Sequence, residues 1–504
     1  MGNALRGDAA RWMGLAALSG AIAGAGLQPL GWWWLALAGF GGLVWLVARV
    51  PGRAGRVAWA GGFGYFAAGL NWIVEPFLID VARDGWMAPF ALIGLPSGLA
   101  LFWTLAGWIA GRWRLGGVGF ALMLTLAELA RGHVLTGFPW ATPGQIWIDH
   151  APAQAAALFG QYGLTLATLL VAAGLAALRP VPVVLAAGLV AAGFGYGQWR
   201  LSLPEPPAFA APEGVTVRLV QPAAEQGLKW DADEAQVFFQ RQLDFTKAGP
   251  RVDLTIWPET SIPYTLEDYP DLAPMIAGAA RGGAVALGIQ RLEPGEGGEW
   301  RFFNSLVVLG PGGARLASYD KHHLVPFGEY IPGGDWLMDL TGIGAFAAQA
   351  GNAYTAGTAP AVITPAPDLG RILPLICYEA VFPQDLRVPG ARADWLLQVT
   401  NDAWFGTLTG PFQHAAQARL RAVEQGLPLV RVANTGVSAV YDARGRVVAE
   451  LPFGQPGWLD AQVPGALPVT PYARWGEWFV LAALTVMLAG LALSRLRGRG
   501  RIGA

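Results

Sequence analysis

Cysteine is almost missing: the 504 residues hold one, Cys377, so no intramolecular disulfide can brace the fold and packing must do so. Charge is scarce as well, at 14% of residues, where about 25% is usual for a soluble chain. With 54% hydrophobic residues and a mean hydropathy of +0.39, part of this chain is expected to lie in lipid. No basic stripe with interleaved aromatics occurs, which excludes nucleic acid as the expected partner. Nothing recurs at a fixed period, which excludes solenoids and propellers, and the scattered Gly and Pro exclude a low-complexity segment.

What is present is a series of apolar runs. A bilayer-spanning helix needs about 20 mostly apolar residues, and such runs fall at 12–27, 31–48, 57–74, 87–110, 115–130, 153–178 and 181–199, with an eighth at 478–493. The fifth carries Glu128 near its end. Arg6 and Arg11 before the first run imitate a secretory signal, but a second run follows directly after Gln28-Pro29, so a helical hairpin that stays in the membrane is expected. Arginine sets the orientation. With the N-terminus inside, the inner loops carry Arg6, Arg11, Arg49, Arg53, Arg56, Arg112, Arg114, Arg179, Arg495, Arg497, Arg499 and Arg501. The outer loops carry only Arg83, Arg131, Arg200 and Arg474. Everything between the seventh and eighth spans is thereby expected outside the cytoplasm.

From about 213 to 467 the texture becomes that of one water-soluble α/β domain, with the Pro-rich "LPEPPAFAAPEG" as the linker before it. Short β-branched runs at 215–220, 254–257, 285–289, 305–309, 372–376, 395–400, 429–433 and 437–441 alternate with turns and with helical stretches at 233–247 and 414–425.

Three places in this domain set an ionisable side chain at a strand end. In "DLTIWPETSIP" a strand stops at Pro258 and Glu259 emerges just beyond it. In "YDKHHLVPFGEYIP" Lys321 follows a strand-like segment and a Pro/Gly-braced loop presents Glu329. His322 and His323 suggest a metal, but adjacent residues are not expected to converge on one ion as i, i+4 histidines do, and no metal is expected. In "ILPLICYEAVFP" a buried strand ends at Cys377, where a sharp turn would expose a nucleophile and let the Tyr378 N–H donate to an oxyanion. Cysteine needs a base and a stabilising cation, and Glu259 and Lys321 are of those types. Taken singly, each is an ordinary turn carboxylate, surface lysine or buried thiol.

The order Glu, Lys, Cys, each near a strand end, resembles the nitrilase (carbon–nitrogen hydrolase) superfamily. The strings "WPETSIP", "KHHLVPFGEYIP", "CYEAVFP", "NDAWFGTLTGPFQH" and "ANTGVSAV", set between seven spans and one, look like the apolipoprotein N-acyltransferase family over essentially the whole chain. The resemblance implies an α/β fold in which an α-β-β-α sandwich at 213–467 is inserted between the seventh and eighth helices of an eight-helix transmembrane bundle. The bundle would comprise 1–200 and 476–495. It implies that Cys377 is acylated, Glu259 is the general base and Lys321 steadies the tetrahedral intermediate. Tyr378, Glu329, Glu379 and Asn304 would support them, and Trp230, Trp404 and Trp140 would serve substrate binding or loops. The family pattern often has asparagine where "QPAAEQ" has Ala223.

The implied reaction is ping-pong: a membrane phospholipid acylates Cys377, and the α-amine of an N-terminal S-diacylglyceryl-cysteine takes the chain, completing lipoprotein maturation without a cofactor. The implied setting is the bacterial inner membrane, with both termini cytoplasmic, the catalytic domain periplasmic and the protein a monomer. A membrane-anchored hydrolase of small amides would need one span rather than eight. A transporter would need ionisable residues in mid-span, and apart from Glu75 and Glu128 near span ends they are scarce.

Overall fold

The computed structural model describes residues 2–210, 214–295, 300–332 and 354–500. The apolar string "DWLMDLTGIGAF", whose Trp, Phe and Leu suit the lining of an acyl pocket although core or lipid-facing packing is the ordinary reading of any one of them, lies outside these residues. The chain divides into two compact units: Met1–Leu203 with Leu408–Leu420 and Val469–Ala504, and Pro204–Thr407 with Arg421–Pro468.

The first unit is helical. Helices Gly2–Gly24, Trp33–Arg49, Ala54–Gly69, Ala88–Arg112, Gly116–Arg131, Ala156–Ala176, Pro180–Ser202 and Trp478–Gly500 stand where the eight runs were read. Four segments among the described residues, Val81–Arg112, Ala151–Ala176, Pro180–Ser202 and Trp478–Leu496, are long and apolar enough to cross a membrane. A fifth arises if Trp33–Arg49 and Pro51–Gly69, bent by 103°, count as one span. Gly2–Gly24 carries Arg6, Asp8 and Arg11 in its first half, Trp33–Arg49 and Ala54–Gly69 have 17 and 16 residues on either side of the Pro51–Arg53 turn, and Gly116–Arg131 has 16. That last helix ends in a fully buried ion pair, Arg131 to Glu128 at 2.5 Å, with the Trp103 indole donating to the same carboxylate at 2.7 Å. Arg131 also donates to the Trp140 carbonyl at 2.9 Å, which fixes the chain beyond the helix. The first part of helix Gly410–Gln425, with the turn before it (408–420), packs in this unit. Gln413 accepts from the Trp140 indole at 2.8 Å and donates to the Gln28 and Gly69 carbonyls, while Gln417 accepts from Gln145 at 3.2 Å.

The second unit holds two mixed sheets. Strands β1 (Thr216–Gln221), β2 (Leu254–Trp257), β3 (Ala284–Pro294), β4 (Trp300–Leu309), β5 (Arg315–Asp320), β6 (Ile372–Ile376), β7 (Trp395–Thr400), β8 (Leu429–Ala433), β9 (Ala439–Tyr441), β10 (Val447–Glu450) and β11 (Gly457–Gln462) follow in chain order. One sheet runs β11-β1-β2-β3-β4-β5, the other β10-β9-β8-β7-β6. Parallel pairing joins β1, β2 and β3, and β6, β7 and β8; the remaining pairs are antiparallel.

The two-residue side-chain period sorts the core. Leu254, Ile256, Ala284 and Ala286 meet Ile372, Ile376, Leu397, Val399, Val430 and Val432 between the sheets. Their neighbours Trp257, Val285, Leu287 and Ile289 face the opposite way, onto Phe239 and Leu243 of helix Ala232–Lys247 and Ile276 of helix Leu272–Ala279. Strands buried on both faces read as continuous apolar runs, which is why β2, β7 and β8 were legible. The exposed β10 and half-exposed β11 carry no such run and were not.

Candidate active site

The ends of β2, β5 and β6 converge. Proline ends β2, and Thr260, at a left-handed φ of 45°, turns the chain so that Glu259 points inward. Gly288 on neighbouring β3 permits this, because a Cβ there would lie 2.5 Å from the Glu259 Cα. Glu259 is buried, with one carboxylate oxygen accepting from the Asn401 N–H at 2.8 Å and the other from Asn304 at 2.8 Å and Lys321 at 3.5 Å.

Lys321 follows β5 directly. Its Nζ lies 2.9 Å from both oxygens of Glu329. Asn304 on β4 bridges the two acids, donating also to Glu329 at 2.9 Å, and the Val325 N–H holds the other Glu329 oxygen at 2.8 Å. Burial works against the Lys321 charge, but Glu329, Glu259 and Cys377 outweigh it and raise the lysine above its ordinary value.

Cys377 follows β6 at a φ of 50°, a strained conformation for a residue with a side chain, and its carbonyl accepts from Gln398 at 3.1 Å. Burial, and then Glu259, push its thiol well above the ordinary value, while Lys321 and a hydrogen bond with Thr400 pull the other way. The resting form is therefore the thiol, and a base must take its proton.

The structure thus brings Glu259, Lys321, Cys377, Asn304 and Glu329 into one cluster. Glu379 and Tyr378 occupy the 3₁₀ turn Cys377–Val381, where the buried Tyr378 ring packs edge-on against Phe382 at 4.8 Å. Trp404 is half-buried in the turn Asp402–Phe405, and Trp230 is exposed. Trp140 belongs to the helical unit, fully buried against Trp72 and His414.

Three features escaped the sequence. Lys229, beside Trp230, is buried with its Nζ 3.4 Å from the Glu259 carbonyl, and burial, opposed by Glu259, holds it down to about 8. A charged residue between Leu228 and Trp230 was the available signal. The Asn401 N–H on Glu259 left no signal. The adjacent histidines do converge, correcting the expectation: ligand-type atoms of His322, His323 and Asp385 lie within 4.8 Å of one another. Those atoms are engaged in hydrogen bonds among themselves.

Ala223 explains the departure noted above. Its φ is 51°, in the region that asparagine and glycine enter most readily, while its N–H is held by the Asn434 carbonyl at 3.0 Å. Ala223→Asn or Ala223→Gly is expected to stabilise the protein by about 0.5 to 1 kcal/mol; a melting temperature below wild type would refute the strain.

Residues 216–467 match the family described as carbon-nitrogen hydrolase, so this unit is a domain of that class. Residues 19–174 match the apolipoprotein N-acyltransferase N-terminal domain. The chain is 41% identical over 494 residues to the apolipoprotein N-acyltransferase of Caulobacter vibrioides, covering 92% of this chain and 90% of that protein. It is 38% identical to that of Brucella melitensis, over 94% of each. The chain belongs to the apolipoprotein N-acyltransferase family. A CN-hydrolase superfamily protein of Xanthomonas campestris, with an arsenic adduct in its active site, is 23% identical over 50% of this chain and 90% of its own, at a TM-score of 0.36.

Proposed function

We propose that this protein transfers an acyl chain from a membrane phospholipid to the α-amine of the N-terminal S-diacylglyceryl-cysteine of apolipoproteins. The observation that carries the reading is a buried thiol on a strained turn, within the fields of Glu259 and Lys321, in a chain with several membrane-length apolar helices. Glu259 takes the Cys377 proton as sulfur attacks the ester carbonyl. Lys321 and the Tyr378 N–H stabilise the oxyanion, the ester C–O bond breaks, and the lysophospholipid leaves with the proton from Glu259. The acceptor amine then attacks the thioester. An amide C–N bond forms, the C–S bond breaks, and Glu259 carries the amine proton back to sulfur. The second carboxylate, Glu329, keeps Lys321 charged and placed.

The finer architecture is part of this reading: seven helices in 1–200, the catalytic domain at 213–467, and an eighth helix at 476–495. The arginine asymmetry supports cytoplasmic termini and a periplasmic catalytic domain in the bacterial inner membrane. Trp230, exposed beside the buried Lys229, and Trp404 suit contacts with entering lipid, and a monomer suffices for the chemistry.

The test is intact-protein mass after incubation with phospholipid. One acyl chain should add to the protein, be released by hydroxylamine, and move to a diacylglyceryl-cysteine peptide on chase. An unmodified, folded protein would favour a hydrolase of small amides.

A further inference from the structure

Glu379 is fully buried and collects an unusual number of donors. One oxygen accepts the Ile376 N–H at 2.7 Å, at the last residue of β6 before the nucleophile. The other accepts the His322 N–H at 2.9 Å, the His323 N–H at 3.3 Å and the Tyr319 hydroxyl at 2.8 Å. These donors come from two places: the strand that ends at Cys377, and the strand and loop that flank Lys321. One carboxylate therefore clamps the two reacting segments together.

Such a clamp needs a counter-charge, because an isolated carboxylate taken out of water is costly. Among the described residues the one cation in contact with Glu379 is the His322 ring, whose Nδ1 lies 2.5 Å from it and 2.9 Å from the Tyr319 hydroxyl. The same ring reaches a second acid, its Nε2 lying 3.3 Å from Asp385 in the segment Pro383–Leu386. Asp385 also takes the His323 Nδ1 at 2.9 Å. The Lys321 side chain points away from this group, to Glu329 and Glu259.

We propose that His322, as an imidazolium, is a positioning residue for acyl transfer: it neutralises Glu379, which holds the Cys377 turn against Lys321, and Asp385 holds His322 in its turn. This rests on Cys377 being the nucleophile. An imidazolium bridging two carboxylates donates from both nitrogens. The charge is present at neutral pH. Burial opposes it, but hydrogen bonds to Asp385 and Glu379, and their charges, push His322 up to about 9. Asp385 is held below the ordinary carboxylate range, since its hydrogen bonds and attraction to His322 and His323 outweigh its burial. A histidine raised on folding stabilises the structure fully below its unfolded value and loses that contribution as pH rises through the folded value. The clamp should therefore loosen on the alkaline side, near pH 9.

The experiment follows the rate of Cys377 acylation by phospholipid vesicles from pH 7 to 10, in wild type, His322→Gln and Asp385→Asn, with the melting temperature of each as a check on folding. Wild type should lose at least tenfold in rate across a limb centred near 9. His322→Gln, which keeps a donor but not the charge, should be 10- to 100-fold slower at pH 7.5 and show no such limb. Asp385→Asn removes an acid that raises His322, so its limb should move to lower pH, a shift that loss of packing alone would not produce. Wild-type rate in His322→Gln, or an unmoved limb in both variants, overturns the proposal and assigns the limb to another group such as Lys229. Wild type that is never acylated at Cys377 overturns the nucleophile reading itself, a result distinct from either.

Discussion

Cys377→Ala is expected to form no acylated protein and to lower acyl transfer by at least about 10³-fold, because the chain has one cysteine and the thioester needs its sulfur. The fold should survive, since a buried thiol is exchanged for a smaller apolar side chain that breaks no ion pair. Cys377→Gly adds a sharper criterion. At a φ of 50° any Cβ is strained, so glycine should be more stable than alanine here by about 1 kcal/mol while being equally inactive. Intact mass reads the first effect and thermal unfolding in detergent the second. An alanine variant that still carries a hydroxylamine-sensitive acyl chain would move the nucleophile elsewhere. A glycine variant less stable than alanine would remove the argument from strain.

Lys321→Met is expected to fail in two ways at once. Methionine keeps most of the volume but leaves Glu259 and Glu329, bridged by Asn304, buried without their ammonium. Removing one partner of a buried ion pair costs about 3 to 5 kcal/mol, so the melting temperature should fall by several degrees. Transfer should fall by roughly 10² to 10³, the usual cost of one oxyanion donor. The pKa of Lys321 is raised on folding, so its contribution is complete at pH 7.5 and would be lost only far on the alkaline side. A Lys321→Met protein as stable as wild type would show that the acids take up protons and relax. Retained activity would assign the oxyanion to backbone donors alone.

The candidate residues at strand ends were legible because chain grammar marks such positions locally: a proline after β2, a Pro/Gly-braced loop after β5, a polar turn after an apolar β6. The sequence could not disclose what long-range packing decides. Lys229 looks like any surface lysine until the fold buries it beside the Glu259 carbonyl. The donors on Glu379 span residues 319 to 376 in sequence, and the ring of His322 meets Asp385 only through the fold. Hydropathy located the helices, yet the 103° bend between Trp33–Arg49 and Pro51–Gly69 depends on backbone geometry that an apolar count does not register. Trp140, grouped with substrate-binding residues from its motif, is fully buried with its indole on Gln413.

The residues 408–420 carry a practical consequence for anyone wishing to handle the catalytic domain without lipid. A fragment cut at 213 and 467 takes this segment with it and leaves behind its partners in 1–200. Gln413, His414 and Gln417 are all but inaccessible to solvent, and their partners are Trp140, Gln145 and the carbonyls of Gln28 and Gly69. Arg419 would lose Asp149 as well. Stripped of these, the excised piece would present polar groups shaped for a surface that is no longer there, so the gene for this domain is not a detachable cassette.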